Sequence, residues 1–411
     1  MVRINRARLE AAFHEQARIG ATAGGGLTRL ALSDEDKVIR DRMVDWLEGA
    51  GCTVRVDRMG NMFGRRAGAP DRGALPPVVM GSHVDSVPTG GRFDGVLGVL
   101  CALEAIRALD DAATRTRHPI ELAIFTNEEG ARFQPAMLGS AVMAGKVSLE
   151  DAYNKRDRHG LRLVDELERI GYLGAEPCIP RPMRAYLELH IEQGPFLEEA
   201  GLSVGVVEGI VGIAWSRITF HGSQDHAGPT PMRTRRDALV AGAELVKAVR
   251  LIPLQIGHEM VGTVGWLDVH PNIVNAIPGK VVMTADLRAA DDADLDRALA
   301  DLEVAVRDAA AAEGVRLEYE PLMRVPRTRF APEVVDAVEE AAKALGVGYR
   351  RMLSGAGHDA QHMATLCPTG MVFVPSIGGK SHCEDEATHF DDIEQGANVL
   401  LRAALALAGP A

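Results

Sequence analysis

The chain has 411 residues, 46% of them hydrophobic, which is more than one ordinary core needs and suits two domains. Its net charge of −12 argues against nucleic-acid binding as the main task. No apolar run approaches the roughly 18–20 residues that span a bilayer, so no membrane association is expected.

The five cysteines indicate a reducing compartment, because their number is odd and they are scattered along the chain. The basic N-terminal stretch, residues 1–8, is not followed by an apolar signal core. We therefore expect a cytoplasmic protein.

Strand and helix signals alternate through the first half of the chain, which predicts an α/β sheet covered by helices. Residues 76–80, 120–126 and 184–190 are predicted strands. Residues 96–109 have apolar positions at three- and four-residue spacing, which predicts a helix.

A second domain is predicted from the change of pattern near residue 211. Strands are expected at 213–221, 260–268 and 280–288, and helices at 236–251 and 292–313. We interpret residues 211–325 as an inserted α+β domain, so that 1–210 and 326–411 form one discontinuous domain. The latter returns with a helix at 332–345, a glycine-rich loop, a strand at 371–374 and a helix at 391–407.

Metal-capable side chains follow the predicted buried strands, where open α/β sheets usually build their sites. His83 and Asp85 are two residues apart, which suits a metal ligand and its orienting carboxylate. Asp94 stands among glycines before the predicted helix, where a bridging carboxylate and an ordinary helix N-cap are equally good interpretations. His83 and Asp85 alone also suit a solvated strand end.

Two further segments add to this set. Glu128 and Glu129 follow a buried strand, where one can bind a metal while the other serves as a general base, although an acidic loop would explain them too. His190 and His382 are weak signals singly. Together with His83 and Asp94, however, they complete the mixed nitrogen and oxygen donor set that suits Zn²⁺, Mn²⁺, Co²⁺ or Ni²⁺.

The order of these residues resembles the M20 family of dinuclear metallohydrolases, and within it the hydantoinase/carbamoylase branch. The strings that carry the resemblance cover nearly the whole chain: GSHVDSVPTGGRFDGVLGVL from Gly81, FTNEEGARF from Phe125, HIEQGP from His190, HAGPTPM from His226, PNIVNAIPGK from Pro271, SGAGHDAQ from Ser354 and PSIGGKSH from Pro375.

The resemblance implies a mixed-sheet catalytic domain of the dinuclear metallopeptidase type, with 211–325 as its lid and dimerisation domain. It implies two divalent ions (Zn, Mn, Co or Ni) per subunit of a homodimer. The implied ligands are His83, Asp94, Glu129, His190 and His382, with Asp94 as the bridge. Glu128 matches the general base, and Asp85 matches the residue that orients His83.

Substrate contacts are also implied by the resemblance. His226 matches an oxyanion-stabilising histidine, acting in cis or from the partner subunit. Gln193, Asn275 and Arg288 match substrate-binding positions, and Gly357 lies in a loop that binds substrate through its backbone. Simpler interpretations remain open: a turn residue for Asn275, a surface strand residue for Arg288 and a loop histidine for His226.

The implied activity is hydrolysis of N-carbamoyl-L-amino acids, or a similar ureido or amide substrate with a carboxylate, to the amino acid, CO₂ and ammonia. The same machinery could act on allantoate, an N-acyl amino acid or a dipeptide. An inactive binding protein would lack a ligand or the base, and all are present here. A cysteine or serine nucleophile has no recognisable activating histidine, although Cys383 lies next to His382.

Overall fold

The computed structural model describes residues 2–69 and 75–411. Within them the chain forms two compact units. The first unit comprises Met1–Gly209 and Arg329–Ala411, and the second unit comprises Ile210–Thr328. The second unit corresponds to the inserted domain that was predicted at residues 211–325. Its function as a lid or dimerisation domain stays a prediction.

Strands and helices alternate through both units, and the predicted α/β class is confirmed. The strands, in chain order, are β1 (Thr53–Val56), β2 (Met62–Arg66), β3 (Val78–His83), β4 (Ile120–Phe125), β5 (Ala185–Ile191), β6 (Val204–Ile210), β7 (Gly212–His221), β8 (Asp225–His226), β9 (Val261–Thr263), β10 (Leu267–His270), β11 (Ala276–Ile277), β12 (Lys280–Ala289), β13 (Arg316–Val325), β14 (Thr328–Arg329), β15 (Tyr349–Ser354) and β16 (Thr369–Val374).

Helices connect and cover these strands. They are α1 (Arg6–Gln16), α2 (Asp34–Gly49), α3 (Val96–Asp111), α4 (Leu138–Met143), α5 (Leu149–Tyr153), α6 (Leu163–Ile170), α7 (Phe196–Ala200), α8 (Ala238–Ile256), α9 (Asp292–Glu313), α10 (Pro332–Leu345), α11 (Asp359–Met363) and α12 (Phe390–Ala408). Among the helices of the described ranges, none is both long and apolar enough to cross a bilayer.

The first unit is built on a mixed sheet with the strand order β1-β2-β4-β3-β5-β16-β6-β14, and β15 pairs with β6. The neighbours β4, β3, β5 and β16 run parallel, whereas β2 and β6 join this group antiparallel. The four parallel strands are buried along their whole length. Burial on both faces explains their nearly continuous apolar sequences.

The second unit packs two long helices on one face of an antiparallel sheet of order β10-β12-β7-β13, with β9 also paired to β12. Alternate residues of β12 are buried, from Val281 to Ala289. Arg288 therefore lies on the other face of this sheet. A separate two-stranded ladder joins β8 to β11.

One predicted strand, 260–268, is wrong as a single element. β9 and β10 both pair with β12, and Thr263 lies opposite Asp286 while Leu267 lies opposite Met283. Residues 264–266 thus face only positions 284 and 285, which is one residue too many for a regular ladder. The extra residue interrupts the strand as a β-bulge does. β3 also differs from its prediction, since it extends to His83.

Helix α3 is buried on almost every side, and Glu104 near its middle is 1% exposed. Arg8 of α1 donates to both carboxylate oxygens of Glu104 at 2.7 Å, and the backbone N–H of Asn5 donates at 2.8 Å. A buried carboxylate is stable only when it is paired in this way. Helix α1 is therefore held against α3 by the buried carboxylate of Glu104.

We expect Arg8→Ala to lower the free energy of unfolding by about 2 kcal/mol, because the carboxylate of Glu104 loses its cation while it stays buried. Arg6→Ala is the matched control: Arg6 lies in the same helix but pairs with exposed or half-exposed acids, and its loss should matter far less. Urea unfolding followed by circular dichroism measures both. Equal losses of unfolding free energy in the two variants would show that the buried carboxylate of Glu104 does not need Arg8 as its partner.

Candidate active site

The metal-capable residues of the first unit converge at one edge of its sheet. His83 is the last residue of β3, His190 lies near the end of β5, and Glu128 and Glu129 follow β4. His382 comes after β16. Because these four strands run parallel, their carboxyl ends meet at this edge, and the four sequence segments are brought together there.

Asp94 lies at the centre of this cluster, in the loop before α3. Its Oδ1 is 3.1 Å from Nε2 of His190 and 3.5 Å from Nε2 of His83. Its Oδ2 is 3.4 Å from Nε2 of His382, which is itself 3.4 Å from Oε2 of Glu129. One carboxylate therefore faces two imidazoles with one oxygen and the third imidazole with the other.

The contacts form two groups of three ligands that share Asp94. They are His83, Asp94 and His190, and Asp94, Glu129 and His382, with all ligand atoms of a group within 4.8 Å of one another. Each group offers imidazole nitrogen and carboxylate oxygen, which is the donor mixture that Zn²⁺ and related ions prefer. The residues present thus fit a pair of divalent cations.

The pKa shifts of the clustered side chains also suit a site for divalent cations. Burial raises the pKa of Glu129 to about 8, and the Asp94 carboxylate adds to the shift. Burial also raises the pKa of Glu128 well above its ordinary value, although His83 opposes the change. The pKa of His382 rises to about 9 because it hydrogen-bonds to Asp94. The raised pKa of His382 and the repulsion between Glu129 and Asp94 both indicate negative charge at the site, which a divalent cation would offset.

Asp94 itself stays ionised. Burial alone would raise its pKa, but the imidazoles of His190, His382 and His83 outweigh burial and hold the pKa well below its ordinary value. Burial likewise disfavours the charged form of His83, but Glu128 and Asp94 outweigh it and raise the pKa of His83 well above the ordinary value. The central carboxylate is thus available as a shared anionic ligand.

Glu128 lies beside the first group of ligands, with its Oε2 3.5 Å from Nε2 of His83 and only 7% of the residue exposed. Its backbone N–H donates to Oδ1 of Asp85 at 3.2 Å, and the N–H of Glu129 donates to Oδ2 at 3.3 Å. Nδ1 of His83 is 2.9 Å from the carbonyl oxygen of Asp85 and 3.8 Å from Oδ1 of the Asp85 carboxylate, which also accepts from the Glu128–Glu129 backbone. The role of Asp85 in orienting His83 stays a prediction.

Backbone conformation at the site is demanding. Gly95 has a φ of +64°, and a Cβ there would lie 2.3 Å from the imidazole of His83, so only glycine fits. Asn127, Gln193 and His382 also have positive φ, at +58°, +62° and +55°. Such conformations in residues other than glycine cost energy and concentrate at functional sites.

Glu386 is a site residue that the sequence analysis missed. Its Oε1 accepts hydrogen bonds from the N–H groups of Phe93 and Asp94 at 3.1 and 3.0 Å, and its Oε2 accepts one from Ser381 Oγ at 3.0 Å. The carboxylate thus joins the loop of the bridging Asp94 to the loop of His382. The available signal was its position four residues after His382, in the acidic string Glu384-Asp385-Glu386.

Gln193 contacts the cluster directly. Its Nε2 donates to Oδ2 of Asp94 at 2.8 Å and to Ser381 Oγ at 3.2 Å. Its Oε1 is buried and has no hydrogen-bond partner among the described residues. A buried acceptor without a partner is costly, so this oxygen is a natural place for a donor group of a ligand.

Gly357 lies in a loop next to His190. Oγ of Ser354, at the start of the loop, is 2.9 Å from Nε2 of His358. The centres of the His358 and His190 rings are 4.5 Å apart. His358 is the residue that precedes helix α11. Burial lowers the pKa of His358 well below its ordinary value, and His190 adds to the shift, so this imidazole is neutral.

The other three predicted residues lie in the second unit. His226 and Asn275 are neighbours, because His226 pairs with Ala276 across the β8–β11 ladder and the Asn275 carbonyl accepts the N–H of Ala227. Both side chains are exposed. Nδ1 of His226 accepts a hydrogen bond from the N–H of Gly228 at 3.0 Å. In the neutral imidazole the proton is then on Nε2, which becomes a donor.

Arg288 is half-buried on β12, and its guanidinium donates to Asp286 at 2.9 and 3.2 Å. Arg288 matches a substrate-binding position by the family resemblance, and Asp286 lies two residues earlier in the chain. On a strand, side chains two residues apart lie on the same face, which is why the two residues pair. A substrate carboxylate would share this guanidinium with Asp286.

The cysteines offer no activated nucleophile within the part of the chain that the structure describes. Burial raises the pKa of Cys52 and of Cys367 to about 11, and burial also raises the pKa of Cys101 and Cys178. A thiol with a raised pKa is a poor nucleophile. Cys383 is half-exposed beside His382, whose Nε2 faces Asp94 and Glu129.

Known proteins similar to this chain include amidohydrolases, as the residues of the site suggest. Residues 79–406 match the model of Peptidase family M20/M25/M40. An N-carbamoyl-L-amino-acid amidohydrolase from Rhizobium meliloti is 43% identical over 403 residues, 98% of this chain and 96% of that one. A ureidoglycolate hydrolase from Oryza sativa subsp. japonica is 35% identical, over 97% of this chain and 84% of that one.

A solved structure, an amidase of the hydantoinase/carbamoylase family from Burkholderia multivorans, superposes with a TM-score of 0.94 at 49% identity and covers 100% of both chains. The resemblance drawn from the sequence motifs is thereby confirmed. The chain belongs to Peptidase family M20/M25/M40, and along its whole length it is similar to an amidase of the hydantoinase/carbamoylase family.

Proposed function

We propose that this protein hydrolyses N-carbamoyl-L-amino acids to the free amino acid, CO₂ and ammonia. The observation that carries the proposal is the Asp94 carboxylate shared by two ligand groups, with Glu128 beside them. The substrate class is supported by the 43% identity to an N-carbamoyl-L-amino-acid amidohydrolase along nearly the whole chain.

Two divalent ions would be held by His83, Asp94 and His190 and by Asp94, Glu129 and His382. Such ions act as Lewis acids that polarise a carbonyl and make water a stronger acid. Zinc, manganese, cobalt and nickel all suit these donors, and the proposal includes any of the four.

Glu128 is assigned as the general base. It takes a proton from the attacking water and later returns it to the leaving α-amine, which releases carbamic acid that breaks down to CO₂ and ammonia. Its burial and its position beside His83 support the assignment.

His226, Asn275 and Arg288 are assigned to the substrate. The Gly228 N–H leaves the proton of neutral His226 on Nε2, where it can be donated to the oxyanion that forms on the carbamoyl carbon. Asn275 is the neighbour of His226 on the paired strand, and Arg288 would bind the substrate carboxylate in competition with Asp286. Gly357 would contribute backbone contacts from its loop.

Gln193 favours a ureido substrate over an acyl one. Its unpartnered Oε1 lies on the side chain that also contacts Asp94, and a ureido group carries an additional NH₂ donor that an acyl group lacks. The second candidate, an allantoate or ureidoglycolate hydrolase, has the same ureido chemistry and is supported by the 35% identical rice relative. N-acyl amino acids and dipeptides are the weaker alternatives, and an inactive binding protein is disfavoured because every ligand and the base are present.

We also propose that the protein is a homodimer and works in the cytoplasm, as the family resemblance and the scattered free cysteines suggest. Two arrangements of His226 fit this proposal: it acts on the substrate of its own subunit or on that of its partner. A dimer-breaking variant that binds metal but has lost activity would favour action across the interface.

Glu128→Gln should lower kcat by on the order of 10²–10⁴-fold, because it removes the proton carrier while the ligands remain. Metal-stripped protein is reloaded with Mn²⁺ or Zn²⁺ and given N-carbamoyl-L-amino acids, N-carbamoyl-β-alanine, allantoate and N-acetyl amino acids, with ammonia and amino acid both measured. Metal-dependent release of both products from the first group is the expected result. Amino acid without ammonia would move the enzyme to the acylases.

His226→Ala should lower kcat by on the order of 10²–10³-fold with bound metal unchanged, because an oxyanion donor acts mainly in the transition state. His258→Ala is the control, since His258 is an exposed histidine of the same unit that pairs with Asp294. Steady-state kinetics and elemental analysis measure both effects. A higher KM with an unchanged kcat would assign His226 to substrate binding alone.

Gln193→Met should reduce kcat/KM more for an N-carbamoyl than for an N-acetyl amino acid, by about 3–10-fold, because one hydrogen bond to the additional NH₂ is lost. Ser381→Ala is the matched control: it removes a neighbour of Gln193 and Asp94 but leaves the Gln193 acceptor in place. Equal losses for both substrates would show that Gln193 does not recognise the ureido group.

A further inference from the structure

Two polar residues that no part of the proposed mechanism uses are buried behind the cluster. Gln16, the last residue of α1, is 0% exposed, and Arg29, in the loop that follows α1, is 1% exposed. Burial of a guanidinium and an amide is costly unless their donors and acceptors are satisfied. Their hydrogen bonds therefore indicate what the burial achieves.

Arg29 directs its side chain to uncharged oxygens. Nε donates to the carbonyl of Val84 at 2.7 Å, and the terminal nitrogens donate to the Gln16 carbonyl at 3.3 Å, its Oε1 at 3.1 Å and the Ile19 carbonyl at 3.2 Å. Val84 lies between His83 and Asp85. The backbone of Arg29 also pairs with Ser86, which fixes the same loop from a second side.

Gln16 continues the connection in the other direction. While its Oε1 accepts from Arg29, its Nε2 donates to the carbonyl of Arg92 at 2.8 Å. Arg92 lies two residues before Asp94. The chain Val84–Arg29–Gln16–Arg92 therefore links the loop that follows β3 to the loop that precedes α3, through side chains that are almost free of solvent.

We propose that Gln16 and Arg29 are positioning residues that set the spacing of His83 and Asp94, an inference that rests on the proposed function of this site. Nε2 of His83 is 3.5 Å from Oδ1 of Asp94, and these two ligands come from the two loops that the pair joins. Residues that hold metal ligands from behind tune affinity, typically by 10–100-fold.

An arginine suits this place better than a lysine. Its planar group presents several donors in fixed directions, so one side chain can serve carbonyls from three different residues. Burial lowers the pKa of Arg29 to about 10, with Asp36 and Asp85 opposing the change, so the group remains a cation at neutral pH. A lysine at the same position would keep one or two of these contacts at most.

The sharpest variant is Gln16→Glu. An ionised carboxylate can still accept from Arg29 but cannot donate to the Arg92 carbonyl, so it breaks the link between the two loops. The negative charge that it adds would by itself attract a metal cation, so a loss of metal affinity reports the broken link. The expected result is an increase of about 10–100-fold in the dissociation constant for Mn²⁺ or Zn²⁺, measured by competition with a chromophoric chelator. kcat should fall with KM changed little, and excess metal should restore part of the activity.

Arg29→Met and Arg29→Lys form the second pair, with the lysine expected to recover part of the metal affinity that the methionine loses. Arg8→Ala is the control for general instability, because it destabilises the same unit away from the two loops. If the Gln16 and Arg29 variants lose stability in urea as Arg8→Ala does while their metal affinity equals that of the wild type, the pair is merely structural and the proposal is wrong.

The same titration separates this inference from the proposed function. A wild-type protein that binds two equivalents of Mn²⁺ but hydrolyses nothing in the panel would overturn the assigned substrate and leave the affinity prediction intact. A wild-type protein that binds no divalent ion would overturn both. Weakened binding in Gln16→Glu supports the positioning role whichever amide proves to be the substrate.

Discussion

Buried negative charge at one end of the sheet is the constraint on which the rest of the structure depends. Four carboxylates come together there with three imidazoles: Asp85, Asp94, Glu128 and Glu129 with His83, His190 and His382. Like charges in a region of low dielectric repel strongly, and they persist only where cations or hydrogen-bond donors face them. The three imidazoles and the N–H groups of the surrounding loops meet part of this requirement, and the proposed divalent ions would meet the rest.

The parallel strands explain why the charges can be assembled at all. β3, β4, β5 and β16 are largely apolar and buried on both faces, and the metal-capable residues lie at or just beyond their carboxyl ends. The loops beyond the strands adopt the backbone conformations of higher energy that bring the side chains together. Positive φ at Asn127, Gln193 and His382 turns side chains inward, and Gly95 leaves room for the ring of His83.

Most of the strands, helices and metal-capable residues could be predicted from the sequence, because hydrophobic periodicity and the family motifs are local features of the chain. Helices α9 and α10 begin and end where their patterns predict. The bulge between β9 and β10 was not predictable, since it depends on the register with β12. Glu386 was missed because its partners are backbone N–H groups nearly three hundred positions away in the chain, and such contacts leave no periodic signal. The Arg288–Asp286 pair, by contrast, followed from strand geometry and could have been found.

Two arginines behind the site hold the surrounding loops without adding to its negative charge. A further carboxylate would add to the repulsion, to which the supporting carboxylates of Asp85 and Glu386 already contribute. Arg40 pairs with Asp36 out of contact with solvent and donates to Thr126, just before the Glu128 loop. Arg29 donates only to uncharged oxygens, yet its positive charge lies near Asp85. Two buried guanidinium groups thus fix the loops by directional hydrogen bonds, and their charge has the sign that the carboxylates in front of them require.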